Sequence, residues 1–310
     1  MSKNYKPDSQ NIFVSVIIPT KNRKEDLLNA VLSVCCQKKL PNQLIIVDQS
    51  ELPESQDAIE KMLSKFPNID LIYIYDRSIS GLIMAKDVGV KNSTSDIICF
   101  IEDDVILTTD YLAEMYAGFL YNKDMLGCCG VIDNMPESSF LQSVLFNLFH
   151  RGIFFDPRFK VFNHLSHSRD EFILSSMLSG GVSAWRREVF KTVFFDLSNS
   201  FHMLEDIEFS SRAFEIFGPR FYINKRARLS HYPSLTGRAS VPLRQRNKVY
   251  EHIMYYKKRK SWRWAFPSTC WILFGIFLQS VFLAITARSI SPLFSYFYGL
   301  RDGCRRNVIL

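Results

Sequence analysis

Asp96-Ile97-Ile98-Cys99-Phe100-Ile101-Glu102-Asp103-Asp104-Val105 is an apolar run that stops on three consecutive carboxylates. A short run of β-prone apolar residues bounded by polar ones predicts a buried parallel strand. In open α/β sheets the ligand crevice lies just beyond the carboxyl ends of the strands, so these acids fall where ligands bind. Adjacent negative charges repel one another and favour a cation. A hard divalent ion such as Mg2+ or Mn2+, carrying a ligand's phosphates, suits oxygen ligands of this kind. On its own the triplet reads equally well as a solvated acidic turn after a core strand.

The segments before it alternate strand and helix. Residues 12–18 form a β-branched run ending at Pro19-Thr20-Lys21-Asn22-Arg23, after which Leu27, Leu28, Val31, Leu32 and Cys35 recur at helical spacing. Residues 44–47 predict a second strand ending in Asp48-Gln49-Ser50. A helical pattern over 59–66 leads to a third strand at 71–75, and Ser80-Gly81 opens a helix over 81–92. Such alternation predicts a parallel, right-handed βαβ sheet in the order of a nucleotide-binding half. Three turns then share the carboxyl end of that sheet: 20–23, 48–50 and 102–104. A carboxylate at Asp48 can accept the imide N–H of uracil or thymine, with backbone groups near Pro19 and Thr20 on the other edge. The same residue also serves as an ordinary cap or turn former.

With 310 residues, 47% hydrophobic and 22% charged, the chain has the composition of a globular protein with room for one large domain and an appendage. The net charge of +7 suits an anionic partner, and its surplus falls late, between Arg238 and Arg263 and at Arg301, Arg305 and Arg306. That placement favours a membrane surface and argues against nucleic acid. The seven cysteines include the pairs Cys35-Cys36 and Cys128-Cys129 but no C-x-x-C spacing, so neither a zinc site nor a disulfide framework is expected, and a reducing cytosol is the simplest compartment. Residues 1–11 are polar and do not read as a secretory signal.

Val16-Ile17-Ile18-Pro19-Thr20-Lys21-Asn22-Arg23 resembles the opening strand and turn of the inverting nucleotide-sugar glycosyltransferases of family 2, which have the GT-A fold. Ile45-Ile46-Val47-Asp48-Gln49-Ser50 is similar to the base-binding strand of that family. The stretch from Ser80-Gly81-Leu82 to Ala85-Lys86-Asp87-Val88-Gly89 is similar to its next signature, and Glu102-Asp103-Asp104 stands in the place of its D-x-D. The resemblance implies donor-nucleotide contacts from Pro19, Thr20, Asn22, Arg23, Asp48, Ser50, Gly81, Lys86 and Asp103. It also implies a divalent metal held by Asp104 and Glu102. The first D-x-D position is a longer glutamate here, which favours Asp104 as the direct ligand.

Ser179-Gly180-Gly181-Val182-Ser183-Ala184-Trp185-Arg186-Arg187-Glu188-Val189-Phe190 resembles the family's segment before the catalytic loop, where paired glycines allow close backbone approach to a ligand. Met203-Leu204-Glu205-Asp206-Ile207-Glu208-Phe209 is similar to its E-D motif, with Leu204 where Gly is usual, a change that narrows the expected acceptor pocket. The resemblance makes Asp206, with Glu205, the expected catalytic pair. Taken alone, those two acids are also ordinary first-turn acids of a helix. His231, closing a short strand at 227–231, is implied to sit near the metal or diphosphate, and 234–238 to form a lid. Gly181, Trp185 and Arg238 are the expected acceptor or lid residues. Arg244, Arg246 and Asn247 resemble a basic segment that touches pyrophosphate or docks to a membrane.

Two stretches depart from a plain soluble domain. Residues 139–149 place Phe140, Leu141, Val144, Leu145, Leu148 and Phe149 on a broad face suited to a core or to lipid. Residues 264–287 carry no charge, have Gln279 as their one strongly polar side chain, and are long enough to span a bilayer. Lys257, Lys258, Arg259, Lys260 and Arg263 precede this run, and Arg288, Arg301, Arg305 and Arg306 follow it. A single span would put one basic flank outside, so a re-entrant or interfacial hairpin is preferred, with 290–300 as its second arm and Pro267 and Pro292 as breaks. A buried core helix is the remaining alternative.

The expectation is therefore an α/β GT-A domain over 11–247, with a nucleotide-binding half at 11–105 and an acceptor half at 106–247, followed by a membrane-associated region at 248–310. The expected activity is metal-dependent inverting transfer from a UDP- or dTDP-sugar to a hydroxyl of a lipid-linked or membrane-proximal glycan. This belongs to polysaccharide biosynthesis at the cytoplasmic face of a membrane. A sugar nucleotidyltransferase is the alternative enzyme, but 20–23 lacks the Gly-rich phosphate loop of that class. An inactive glycan- or nucleotide-binding scaffold is the alternative outside enzymes.

Overall fold

The computed structural model describes residues 12–135, 140–150, 169–198, 203–234, 240–258 and 263–307. Its first half alternates β1 (Val14–Thr20), α1 (Lys24–Cys35), β2 (Gln43–Asp48), α2 (Gln56–Leu63), β3 (Asp70–Tyr75), α3 (Leu82–Asn92) and β4 (Ile97–Phe100). These strands lie parallel in the order β3-β2-β1-β4. Every residue of β1 is buried because it is paired on both sides, Val16 lying opposite Leu44 of β2 and Cys99 of β4. Alternation along the strands separates two cores. Val16, Ile18, Leu44 and Ile46 pack on one face with Leu27 and Val31 of α1, while Ile17, Ile45 and Val47 face Ala85 of α3.

The decisive strand is shorter than its apolar run. It ends at Phe100, the chain turns through 101–104, and it re-enters the sheet as β5 (Val105–Leu107) beyond three other strands. The N–H of Ile101 still reaches the Ile17 carbonyl at 3.0 Å, but that of Glu102 goes to Gly181 at 2.9 Å. The three acids therefore occupy a crossing between two parts of the sheet.

α4 (Tyr111–Tyr121), β6 (Gly127–Ile132), α5 (Phe140–His150), β7 (Phe172–Leu174) and β8 (Ser183–Arg186) follow, then a 3-10 turn, α6 (Glu205–Phe217) and β9 (Phe221–His231). Parallel pairing holds as far as β4, and beyond it the sheet is mixed. β8 runs antiparallel between β4 and β6, and the long β9 pairs parallel with β6 and antiparallel with β5 and β7. The expected strand at 227–231 is the last part of β9.

α7 (Val241–Lys258), α8 (Ala265–Thr286) and α9 (Ser291–Arg305) complete the chain. α7 runs through position 247, so the boundary expected there falls inside a helix. Pro267 and Pro292 do not break helices, because each stands in a first turn where its missing N–H costs no hydrogen bond. The break comes at 287–290, where Arg288 has φ 48°. α9 then folds back on α8, with the Tyr296 hydroxyl donating to the Leu273 carbonyl at 3.1 Å and the Phe277 and Tyr296 rings 5.4 Å apart.

α8 is long and apolar enough to cross a membrane. Ile272 and Ile276 are buried against Val249 and Ile253 of α7, while Phe266, Phe274, Phe282 and Ile285 are exposed. α5 packs on the same helix through Phe149, 4.9 Å from the Trp271 ring, and leaves Phe140, Val144, Phe146 and Leu148 exposed. Two residues of the basic run before α8 turn inward. Lys257 Nζ donates to the carbonyls of Gly303, Cys304 and Arg306, and Lys258 pairs with Asp196 and Glu208. Arg259, Lys260, Arg238 and the rest of the expected lid after Ser234 lie outside the described residues.

Candidate active site

A cleft of about 580 Å³ opens at the carboxyl ends of β1 and β4, within the size range of small-ligand sites. Its floor is the 101–104 crossing. Because Val105 of β5 pairs with His231 of β9, the end of β9 is carried to the acidic turn. His231 Nε2 lies 3.2 Å from Asp104 Oδ1 and 3.8 Å from Glu102 Oε2. One ligand atom from each of Glu102, Asp104 and His231 falls within 4.8 Å of the others. Two carboxylates and an imidazole form a donor set that suits a divalent ion such as Mn2+. Asn134, which the sequence did not single out, fixes the histidine backbone by exchanging two hydrogen bonds of 2.8 Å with it.

The charges in this turn differ. Burial disfavours ionisation of Asp104, but the His231 ring, the Ser234 N–H at 3.0 Å and Arg23 outweigh it and hold this carboxyl below its ordinary range. Glu102 is pushed upward, first by burial, against the pull of Lys86 and with Asp104 adding to the rise. Asp103 is outside the three-residue donor set. Its oxygens accept the Thr20 hydroxyl and an Arg23 N–H, each at 2.8 Å, so it ties the 20–23 turn to the crossing.

Pro19, Thr20, Asn22, Arg23 and Gly81 all border the cleft. Asn22 adopts φ 55°, its N–H donating to Ser50 Oγ at 2.7 Å while its side chain accepts the Glu51 N–H at 3.0 Å. Ser50 thereby joins two turns. Asp48, expected to read the base, is 1% exposed. Its oxygens accept the Ser50 N–H at 2.8 Å and the Tyr73 hydroxyl at 2.6 Å. Burial and the adjacent carboxylate push the Tyr73 phenol upward and keep it a donor. The cleft wall at this point is Gln49, whose Oε1 accepts the Gly81 N–H at 2.9 Å. Gly81 itself has φ 90°, a conformation that favours glycine.

Lys86 is not in this cleft. It is 2% exposed, with Nζ 3.4 Å from Glu205 Oε1 and 5.6 Å above the Phe100 ring, on the side of the E-D pair. Asp206 occupies the first turn of α6 and accepts the N–H groups of Ile207, at 2.8 Å, and Gly180. Burial, then the Glu205 charge, push its carboxyl up to about 7 against the pull of Lys86. Beside it a cavity of about 20 Å³, lined by Lys86, Glu205, Asp206 and Ser210, has room for one water.

The paired glycines join the two groups of acids. A Cβ on Gly180 would meet Asp206 Cβ, Glu205 Oε1 and Lys86 Nζ, all at 3.0 Å, and one on Gly181 would run into the Glu102 side chain. Trp185, an expected acceptor residue, lines the small cavity beside Asp206 from within the core. It is 3% exposed, its ring lies edge-on to Phe209 at 5.1 Å, and its N–H donates to Ser183 Oγ at 2.9 Å, so it belongs to the core.

Comparison with known proteins agrees with this architecture. The mannosyltransferase PcManGT of Pyrobaculum calidifontis, solved with GDP-Man and Mn2+, superposes with a TM-score of 0.61 at 13% identity, over 98% of this chain and 91% of that one. GalNAc-T7, solved with UDP, GalNAc and Mn2+, gives 0.58 at 18% identity over 82% and 52%. At these identities the likeness is one of fold. By sequence, the probable N-acetylgalactosaminyltransferase 7 of Caenorhabditis elegans is 28% identical over 148 residues, covering 46% of this chain. The glycosyltransferase GlyA of Streptococcus pneumoniae is 20% identical over 215 residues, covering 68% of this chain. The chain spans only 24% and 29% of the length of these two relatives. The profile of glycosyl transferase family 2 matches residues 15–194, more than half of the sequence, and the chain belongs to that family.

Proposed function

We propose that the protein is an inverting, metal-dependent glycosyltransferase that moves one sugar from a nucleoside diphosphate donor to an acceptor hydroxyl. The observation that carries this reading is the contact made by the Gly180-Gly181 pair. It sets the Glu102–Asp104 turn against the α6 N-terminus, so a cation site and a carboxylate with a raised pKa lie side by side. The donor half is assigned to 11–105 and the acceptor half to 106–247.

In this scheme Asp206 takes the proton of the acceptor hydroxyl while the hydroxyl oxygen bonds to the anomeric carbon. The bond from that carbon to the donor phosphate breaks on the opposite face, and the nucleoside diphosphate leaves. One displacement inverts the configuration. Glu102, Asp104 and His231 are the residues that would hold Mn2+ or Mg2+, which when bound neutralises charge on the diphosphate. Glu205 and Lys86 set the charge around Asp206. A UDP- or dTDP-sugar is the proposed donor. For Asp48 to read the base imide, it must exchange the Tyr73 hydroxyl for the base N–H.

The acceptor is proposed to be a lipid-linked or membrane-proximal glycan, reached at the cytoplasmic face of a membrane. The exposed rings of α5, α8 and α9, with Arg263, Arg288, Arg301, Arg305 and Arg306 near them in the sequence of the C-terminal helices, support an interfacial hairpin on anionic lipid. A thermal-shift screen of UDP-, dTDP- and GDP-sugars with and without Mn2+ tests the donor reading. A stabilisation that grows with donor concentration and needs the ion is expected. Indifference to every donor contradicts it.

A further inference from the structure

We propose that Glu251, on α7, is a positioning residue for the catalytic helix α6, holding the turn at 203–204 that aims Asp206. The inference rests on the proposed role of Asp206 as the base. Glu251 lies in the C-terminal part of the chain, beyond the 15–194 segment that defines the family match.

Glu251 is fully buried, an arrangement that a carboxylate sustains only with donors around it. Its Oε2 accepts the N–H of Met203 at 2.8 Å and that of Leu204 at 2.9 Å. Leu204 is the N-cap of α6 and has no side-chain acceptor of its own for the helix's free N–H groups, while its carbonyl takes the Glu208 N–H at 2.8 Å. Glu251 therefore supplies from another helix an acceptor for the N-cap N–H, the role that a capping-box Glu or Gln at N3 fills locally and that Ile207 at N3 cannot, and its negative charge meets the positive end of the α6 dipole. The next two residues are Glu205 and Asp206.

The contact continues along one stripe of α7. Met254 packs with Leu204 and Ile207, the Tyr255 hydroxyl lies 2.7 Å from Ser211 Oγ, and Lys258 pairs with Glu208 and Asp196. Positions 251, 254, 255 and 258 recur at i, i+3, i+4 and i+7, one face of a helix. The stripe holds the body of α6 in place, so loss of the Glu251 acceptor frees the entry at 203–204 without detaching the helix. An unpartnered pair of N–H groups there is free to seek another acceptor, and Asp206 shifts relative to Gly180. A misplacement of about 1 Å at a reacting group costs on the order of 100-fold in rate.

The test uses the full chain in detergent and measures nucleoside diphosphate release from whichever of a UDP-, dTDP- or GDP-sugar it turns over fastest. Glu251→Gln keeps an oxygen acceptor for both N–H groups, whereas Glu251→Met keeps the bulk without one. Glu251→Met is expected to lower kcat about 10- to 100-fold with donor KM within about twofold, and Glu251→Gln to stay within about threefold of the parent. Equal kcat in Glu251→Met and the parent overturns the proposal. So does a loss that only follows the folded fraction seen in thermal melts, or a loss as large in Glu251→Gln as in Glu251→Met. Asp206→Asn measured alongside separates the two readings. If it is impaired while the Glu251 series is flat, only the positioning role fails; if it keeps full rate, the base assignment itself fails.

Discussion

The Gly181 carbonyl accepts the Glu102 N–H at 2.9 Å, and a Cβ on Gly181 would stand 2.1 Å from Oε1 of the same glutamate. The backbone at Gly181 thus lies directly on the acidic turn at 102–104, and only glycine permits it. The collision reaches back to Cδ and Cγ of Glu102, at 2.2 and 2.6 Å, so swinging the carboxylate tip aside does not relieve it.

Gly181→Ala is therefore expected to move Glu102 out of reach of Asp104 and His231 while leaving the two main cores untouched. Stabilisation by Mn2+ in a thermal melt should be lost, and donor turnover should fall about 10- to 100-fold. A variant with parental Mn2+ response contradicts the close contact.

Asp104→Asn and His231→Ala remove a charge and a nitrogen ligand from the same three-residue set. Each is expected to weaken the Mn2+-induced shift in melting temperature by at least about tenfold in ion concentration. Excess EDTA should abolish turnover of the parent protein. Full activity in EDTA removes the metal from the scheme.

The pH dependence follows from Asp206. A base with a pKa of about 7 is ionised above that value and protonated below it, so turnover should level off above pH 7 and fall about tenfold per unit below it. Glu205→Gln takes away a charge that raises this pKa, and the acid limb should move to lower pH. Lys86→Met removes one that lowers it, and the limb should move to higher pH. Rate profiles of the three proteins check both signs.

Much of residues 12–100 was legible because its strands are the short, near-continuous apolar runs of a sheet covered on both faces, and its helices show the spacing of a single buried side. The order of the acids along the chain was legible too. What escaped depends on pairing across long sequence separation. The apolar run at 96–105 gives no sign that the chain leaves the sheet after Phe100, because Ile101 is as buried as the strand before it. Lys86 follows a turn of the donor cleft in sequence, and only the fold places it against Glu205, 119 residues later. Trp185 resembles a site aromatic by motif, but its inward position on β8 makes it core. Gln49 was within reach, since it follows Asp48 in the same turn.

The apolar C-terminal face makes a separate prediction. Phe266 and Ile285 are 63% and 71% exposed, so replacing both by Ser removes little packing. The variant should melt near the parent temperature but lose co-sedimentation with vesicles containing phosphatidylserine, whereas the parent binds and is partly released by salt. A parent protein that stays in the supernatant contradicts the membrane reading. A cysteine placed after Arg306 should be labelled from the same side as one at Arg263 if the hairpin reading holds.

The central claim is single displacement at an anomeric carbon with Asp206 as the base, and the configuration of the product tests it most directly. Proton NMR of the product formed by the full chain from a nucleotide sugar of known anomer should show the opposite anomer. Asp206→Asn should form it about 100- to 10,000-fold more slowly while still binding the donor. Product of the donor's own configuration, or undiminished formation by Asp206→Asn, would contradict the account.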